Sequence, residues 1–360
     1  MVFSNAKKRI AKKRFTFFLY DVALVFVFIF ILLIIPLFIV PLIAEEASVL
    51  YGVIFYVTRM ITIFLGIPLI LYLTNLIFEF QKKKVIIDED ISPATGHLKL
   101  FKVTKKNYKY QILYGFIIFF IVFLPMDFFG YLLMPELIEY QATVLIKNTN
   151  VYLFPEFAGG PNSYFIFLIS AIIIQTSVSV TEETIARGFI AKRGSEYFFT
   201  MSAVIISSLY WGLGHLAYLL EFRSLYPFLW FFQAFIIGII LSLVVLRKKW
   251  ILPAIIAHAL NNIVASHTIW SFWQGISFQV VAFFVYIPLF IIGILFIIVC
   301  LLLVWPLSSV KQGMSNGFAL FKTYFKKDAE EKTIGDTLFR VVFDILIGCL
   351  IFLMGFLIAI

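Results

Sequence analysis

Two adjacent carboxylates, Glu182 and Glu183, precede Arg187 in a stretch that is otherwise apolar enough to be a membrane helix. Glu183 and Arg187 are four apart, so on a helix they share a face and can pair. Glu182 points about 100° away and is free to address another neighbour. Downstream come Trp211 and His215, again four apart, and then His258 and Asn262 at the same spacing. Carboxylate, imidazole and amide groups together cover what peptide hydrolysis needs: a base for water, a proton donor for the leaving amine, and donors for the developing oxyanion.

The elements that carry these residues follow from composition. Of 360 residues, 62% are hydrophobic and only 14% charged. Apolar runs of 20 or more residues are long enough to cross a hydrocarbon core of roughly 30 Å, and lipid forces such runs to be helices because it offers the backbone no hydrogen-bond partner. The reading is an all-α polytopic bundle of about nine transmembrane helices, near 15–43, 52–80, 111–134, 163–190, 197–219, 226–246, 250–269, 278–305 and 340–360. The apolar core of the first is about twice the usual length of a signal-peptide h-region, so it is read as a membrane helix.

Lys and Arg favour cytoplasmic loops. With the N-terminus inside, the inward segments (1–14, 81–110, 191–196, 247–249 and 306–339) hold 24 of the 29 basic residues, and the outward segments only Lys147 and Arg223. The expectation is therefore a cytoplasmic N-terminus, an outward Pro135–Asn162 segment, and a site toward the cytoplasmic half. The long polar segments Gln81–Tyr110 and Pro306–Phe339 are expected to be charged loops too short to fold alone. A formal charge of +9 fits anionic headgroups and topology better than nucleic acid, because the basic residues sit beside spans. Cys300 and Cys349 lie deep in apolar runs and imply no disulfide framework.

Counting along the spans places Glu182 and His258 each eight residues from a cytoplasmic end, both about 12 Å deep. His215 counts deeper from Tyr197. A longer fourth helix or a fifth helix starting near Thr200 would bring it level.

Glu-Glu-x-x-x-Arg, an aromatic-x-x-x-His and His-x-x-x-Asn, in this order on successive spans, resemble the three motifs of the type II C-a-a-X prenyl endopeptidases. These belong to the wider CPBP (Abi) family of intramembrane proteases, which includes the Ras-converting enzyme. The resemblance covers roughly 163–270 and divides the chain into 1–162 with three spans, a protease-like core of four spans at 163–270, and 271–360 with two. Trp211 stands where those enzymes usually have Phe, keeping an aromatic wall. The resemblance implies hydrolysis of a membrane-associated substrate, such as a prenylated C-a-a-X tail. Glu182 is then the base, with His215 helping to hold the water; Glu183 and Arg187 form a structural pair, and His258 and Asn262 face the oxyanion. Metal-free chemistry is favoured because Asn262 is a poor zinc ligand. The alternative is a zinc ion on Glu182, His215 and His258 with a fourth position open.

Blander readings stand beside this one. The charged cluster could lock helices as an ion-pair network, and His215, His258 and Asn262 could be interhelical packing and hydrogen-bonding groups. Two other function classes remain, a CPBP-like scaffold or immunity protein without turnover and a proton-coupled transporter. The chain lacks His-Glu-x-x-His, Gly-x-Ser-Gly and Gly-x-Gly-Asp, the signatures of other intramembrane proteases. Arg59, Asp127 and Asp344 are read as snorkelling, pairing or capping residues, and His97 and His267 as ordinary polar residues.

Overall fold

A computed structural model describes residues 4–45, 48–77, 92–147, 161–216, 225–305, 307–326 and 331–359. Among them the chain forms twelve helices and no strand: α1 (Asn5–Leu42), α2 (Val49–Ile77), α3 (Pro93–Leu100), α4 (Tyr108–Leu133), α5 (Glu136–Lys147), α6 (Tyr164–Tyr197), α7 (Thr200–Leu216), α8 (Tyr226–Lys248), α9 (Leu252–Trp273), α10 (Phe278–Leu303), α11 (Leu307–Thr323) and α12 (Ile334–Ala359).

Each of the nine expected spans has its helix. Seven, namely α1, α2, α4, α6, α8, α10 and α12, are long and apolar enough to cross a membrane. This is an integral membrane protein, and its outward side chains need lipid: Leu42, Phe284 and Leu303 are each at least 70% exposed. The two helices outside that set, α7 and α9, carry the aromatic-His and His-Asn motifs. Both are shielded by other helices. In α7, Met201 through Leu209 are buried without interruption, with α8 and α12 against its sides, while α9 packs between α4 and α6. Burial in protein lets a helix keep polar residues that a lipid-facing span would not tolerate.

The long polar segments differ from the expectation of plain loops. Within Gln81–Tyr110, of which 81–91 lie outside the described residues, α3 starts with Ser92 capping the Thr95 N–H and buries Pro93, Ala94, His97 and Leu100. Its apolar positions give it a core to join. Within Pro306–Phe339, α11 is amphipathic with no buried residue, and α12 starts at Ile334, six residues earlier than expected. The early turns of α12 are polar, but Arg340 and Asp344 are buried and matched. Arg340 reaches Glu331 (2.5 Å) and the Tyr324 carbonyl (2.6 Å), and Asp344 pairs with Arg14 (2.6 Å) and accepts from Tyr324 (3.1 Å). Hydropathy alone cannot see such pairing. Lys147 ends α5, and Arg223 lies outside the described residues.

Candidate active site

Helix α6 is not uniform. It is α-helical to Glu183, widens into a π-helical stretch over Thr184–Ala191, and returns to α-helix at Lys192. Single π turns inside α-helices recur at functional sites because they redirect side chains and free backbone groups. Two carbonyls of the stretch take side-chain donors from other elements: Ala186 from Ser207 Oγ (2.7 Å) and Gly188 from His97 Nδ1 (2.8 Å). Gly188 makes this approach close: a Cβ would come within 3.1 Å of His97 and 3.2 Å of Ile251, and a neighbour would have to shift by a few tenths of an ångström. His97 is therefore no loose loop residue. A carbonyl can only accept, so Nδ1 carries the proton, while its buried Nε2 has no partner. Burial, opposed by this bond and reinforced by Lys192, pushes its pKa down to about 4.

The contact of Gly188 with Ile251 sets the register between α6 and α9. Glu182 lies six residues before Gly188 and His258 seven after Ile251, so the antiparallel helices bring them to one level. The hairpin of α6 and α7 does the same for His215. Helix α6 runs on to Tyr197 and α7 starts at Thr200, so Glu182 is fifteen residues before one end and His215 fifteen after the other. Both adjustments named from the sequence are present.

At that level the side chains form a connected cluster. Arg187 pairs with Glu183 Oε1 at 2.7 Å, and the same oxygen meets His258 Nδ1 at 3.0 Å. Glu183 and Arg187 are fully buried, and His258 nearly so. Trp211 lies at the centre. Its indole N–H donates to Glu182 Oε2 at 2.6 Å, the Arg187 guanidinium stacks 4.3 Å from its ring centroid, and the rings of His215 and His258 stand edge-on at 5.3 and 5.4 Å. Desolvated cation–π stacking offsets part of the cost of Arg187 Nε and Nη2, which have no hydrogen-bond partner.

The two carboxylates have opposite environments. The Glu183 side chain has no exposure, whereas that of Glu182 is 38% exposed and lies 3.8 Å from His258 Nε2. Asn262 lies one turn along α9, half-buried, and makes none of the hydrogen bonds of the cluster among the described residues. Its neighbour Asn261 instead bonds Asp127, giving that acid a partner. His215 Nδ1 meets the Trp211 carbonyl (3.2 Å), which again fixes the proton on Nδ1 and leaves Nε2 as an acceptor.

The zinc arrangement needs Glu182, His215 and His258 around one ion. Among the described residues no three His, Cys, Asp or Glu stand close enough to hold one.

Sequence reasoning gave Trp211 only the role of a wall, and missed its bond to Glu182 and the reach of Glu183 to His258. The signal for the first was present: a Phe has no N–H to give. A cavity of about 270 Å³ lies elsewhere, beside Tyr164, His267 and Trp270, and no carboxylate lines it.

Residues 161–264 match the family model described as type II CAAX prenyl endopeptidase, Rce1-like. This segment is Rce1-like. It contains every residue of the cluster, Glu182 through Asn262, while α1–α5 and α10–α12 lie outside it. No curated protein and no solved structure matches the chain.

Proposed function

We propose that the Rce1-like segment is a metal-free intramembrane endopeptidase in which Glu182 activates water. The observation that carries this reading is the division between neighbouring carboxylates. Glu183 is sealed and spent on Arg187 and His258, whereas Glu182 is open on one side and held by one donor from Trp211. A base must be accessible to water and fixed in direction. Glu182 takes a proton from the water, with His215 Nε2 accepting its second hydrogen bond. The hydroxide oxygen bonds to the scissile carbonyl carbon, and the carbonyl π pair moves to oxygen as an oxyanion.

His258 Nδ1 is directed at Glu183, so Nε2 donates toward the oxyanion when the imidazole carries a proton on each nitrogen. The Asn262 amide, one turn away, adds a second donor. On collapse the C–N bond breaks and Glu182 delivers its proton to the amine. The substrate is a membrane-associated peptide, with a prenylated C-a-a-X tail as its family-level candidate. The site lies toward the cytoplasmic half, on the distribution of basic residues.

Purified protein is tested in detergent or liposomes on farnesylated C-a-a-X peptides with mass-spectrometric readout. Glu182→Gln should abolish cleavage, by about 10³-fold or more, and Asn262→Ala should lower it about 10²–10³-fold, both with unchanged melting temperature. A folded wild type that binds such peptides but yields no product, with full cellular function of Glu182→Gln, would overturn the reading in favour of scaffold or transporter. Activity that disappears with a chelator and returns with stoichiometric zinc would overturn the metal-free arrangement.

A further inference from the structure

Arg59 sits in the middle of α2, outside the Rce1-like segment, and the scheme above does not use it. Its neighbours locate it. Phe64 packs on Phe101 (5.0 Å between centroids), Phe101 on His97 (5.2 Å), and His97 bonds Gly188. Phe64 is thus tied through α3 to Gly188.

By topology α2 and α6 run in the same direction, and Arg59 lies between Tyr56, clustered with Ile174, and Ile63, clustered with Phe189; Ile174 to Phe189 is the stretch of α6 that holds Glu182 and Glu183. Tyr56 and Ile63, three before and four after Arg59, are both buried, Tyr56 in a cluster with Phe167, Ala171 and Ile174 and Ile63 in one with Phe189 and Ile190. Arg59 shares their face, which is the face toward α6. From α7, the Tyr210 hydroxyl lies within electrostatic reach of both Glu182 and Arg59.

Among the described residues each buried arginine has its acid: Arg14 has Asp344, Arg187 has Glu183, Arg193 has Asp21 and Arg340 has Glu331, whereas Arg59 is half-buried. Arg59 has none among the described residues, and its buried Nε has no hydrogen-bond partner. A guanidinium kept in a span without an internal counter-ion is costly and marks a functional position. It lies ten residues into α2, roughly 15 Å from the nearer end, too deep for a lipid headgroup. The anion it meets must come with a chain that enters the site.

We propose that Arg59 receives the free C-terminal carboxylate of the peptide substrate. The inference deepens the protease reading and rests on it. A fixed carboxylate anchor makes the enzyme measure its cut from the C-terminus, so that an endopeptidase acts only on chain ends. Arginine suits the task because its planar fork matches a carboxylate with two hydrogen bonds.

The test uses the full chain in lipid-free detergent and one fluorescent farnesylated C-a-a-X peptide in two forms, free acid and C-terminal amide. Wild type should bind the acid at least tenfold more tightly than the amide, and Arg59→Gln should bind both as wild type binds the amide. Arg59→Lys should keep part of the preference. The proposal fails if wild type binds acid and amide equally, or if a folded Arg59→Gln weakens both alike. Cleavage of the same peptides separates the two readings. Equal cleavage of acid and amide leaves the protease and removes the anchor, whereas an Arg59-dependent acid preference in binding without any cleavage keeps the anchor and removes the protease.

Discussion

Two of the buried charge networks in this bundle are built differently. At the ends of α1 and α12, Asp344 is served by Arg14 and Tyr324 and Glu331 by Arg340 and Thr337, and the exposure of both carboxylates is 1% or less. In the Rce1-like segment, Glu183 is as deeply buried, but Glu182 beside it is more than a third exposed with one protein donor. A network that only fastens helices saturates its acids, since an unpaired buried charge is expensive. One acid left open beside a sealed one, whose own Oε2 has no hydrogen-bond partner among the described residues, sets this cluster apart from a network that only fastens helices.

The comparison predicts that the two networks fail in different ways. The largest contrast is between Glu182→Gln and Asp344→Ala. The first should lose cleavage about 10³-fold or more while melting as wild type does. The second should strand Arg14, cost about 3–5 kcal/mol, and reduce activity only in proportion to the folded fraction. If Asp344→Ala melts normally, or Glu182→Gln does not fold, the distinction between the networks is wrong.

Arg187→Ala should behave as a member of both, destabilising by about 3–5 kcal/mol and inactivating. The double change Glu183→Gln with Arg187→Met removes both charges, so it should recover melting temperature without recovering turnover, because His258 loses its carboxylate. Recovery of cleavage in the double variant would show that Glu183 serves only Arg187.

His97 gives a pH effect. Its folded pKa lies near 4, below its ordinary 6.5, so the fold holds the neutral form. The stabilisation is complete above pH 6.5 and is lost as pH falls from 6.5 toward 4, amounting to about 2 kcal/mol between pH 7 and 5. Thermal melts of wild type and His97→Gln over that range should diverge at neutral pH and converge on acidification. Parallel curves would mean that His97 is not sealed against Gly188.

The smallest effect expected is that of Trp211→Phe, which keeps the ring and removes the donor to Glu182. Cleavage should fall about tenfold, the order of one hydrogen bond to a charged group, mainly in kcat, with little change in melting temperature. An unchanged kcat would demote Trp211 to a wall.

Helix spacing made part of the site legible in advance. Glu183 and Arg187 were expected to pair because residues four apart on a helix must face the same way, and they do. His258 could be set level with Glu182 by counting rise per residue. Spans could be placed wherever lipid demands uninterrupted apolar sequence, and the nine expected helices are present. Where the partner is distant in sequence, the pattern was silent. Arg14 meets Asp344 across 330 positions and Trp211 meets Glu182 across 29, and no periodicity encodes such a meeting.

By itself the sequence determined that this chain is a helical membrane bundle and which polar residues its spans must carry, because hydropathy and helical rise are local properties of the chain. Only the tertiary structure decided which of two neighbouring glutamates is sealed and which is open, that Trp211 is a donor, that α3 carries His97 to Gly188, and that Arg59 is left without an acid among the described residues. Each of those depends on helix register and on what packs against a given face, which are set by contacts between segments far apart in the sequence.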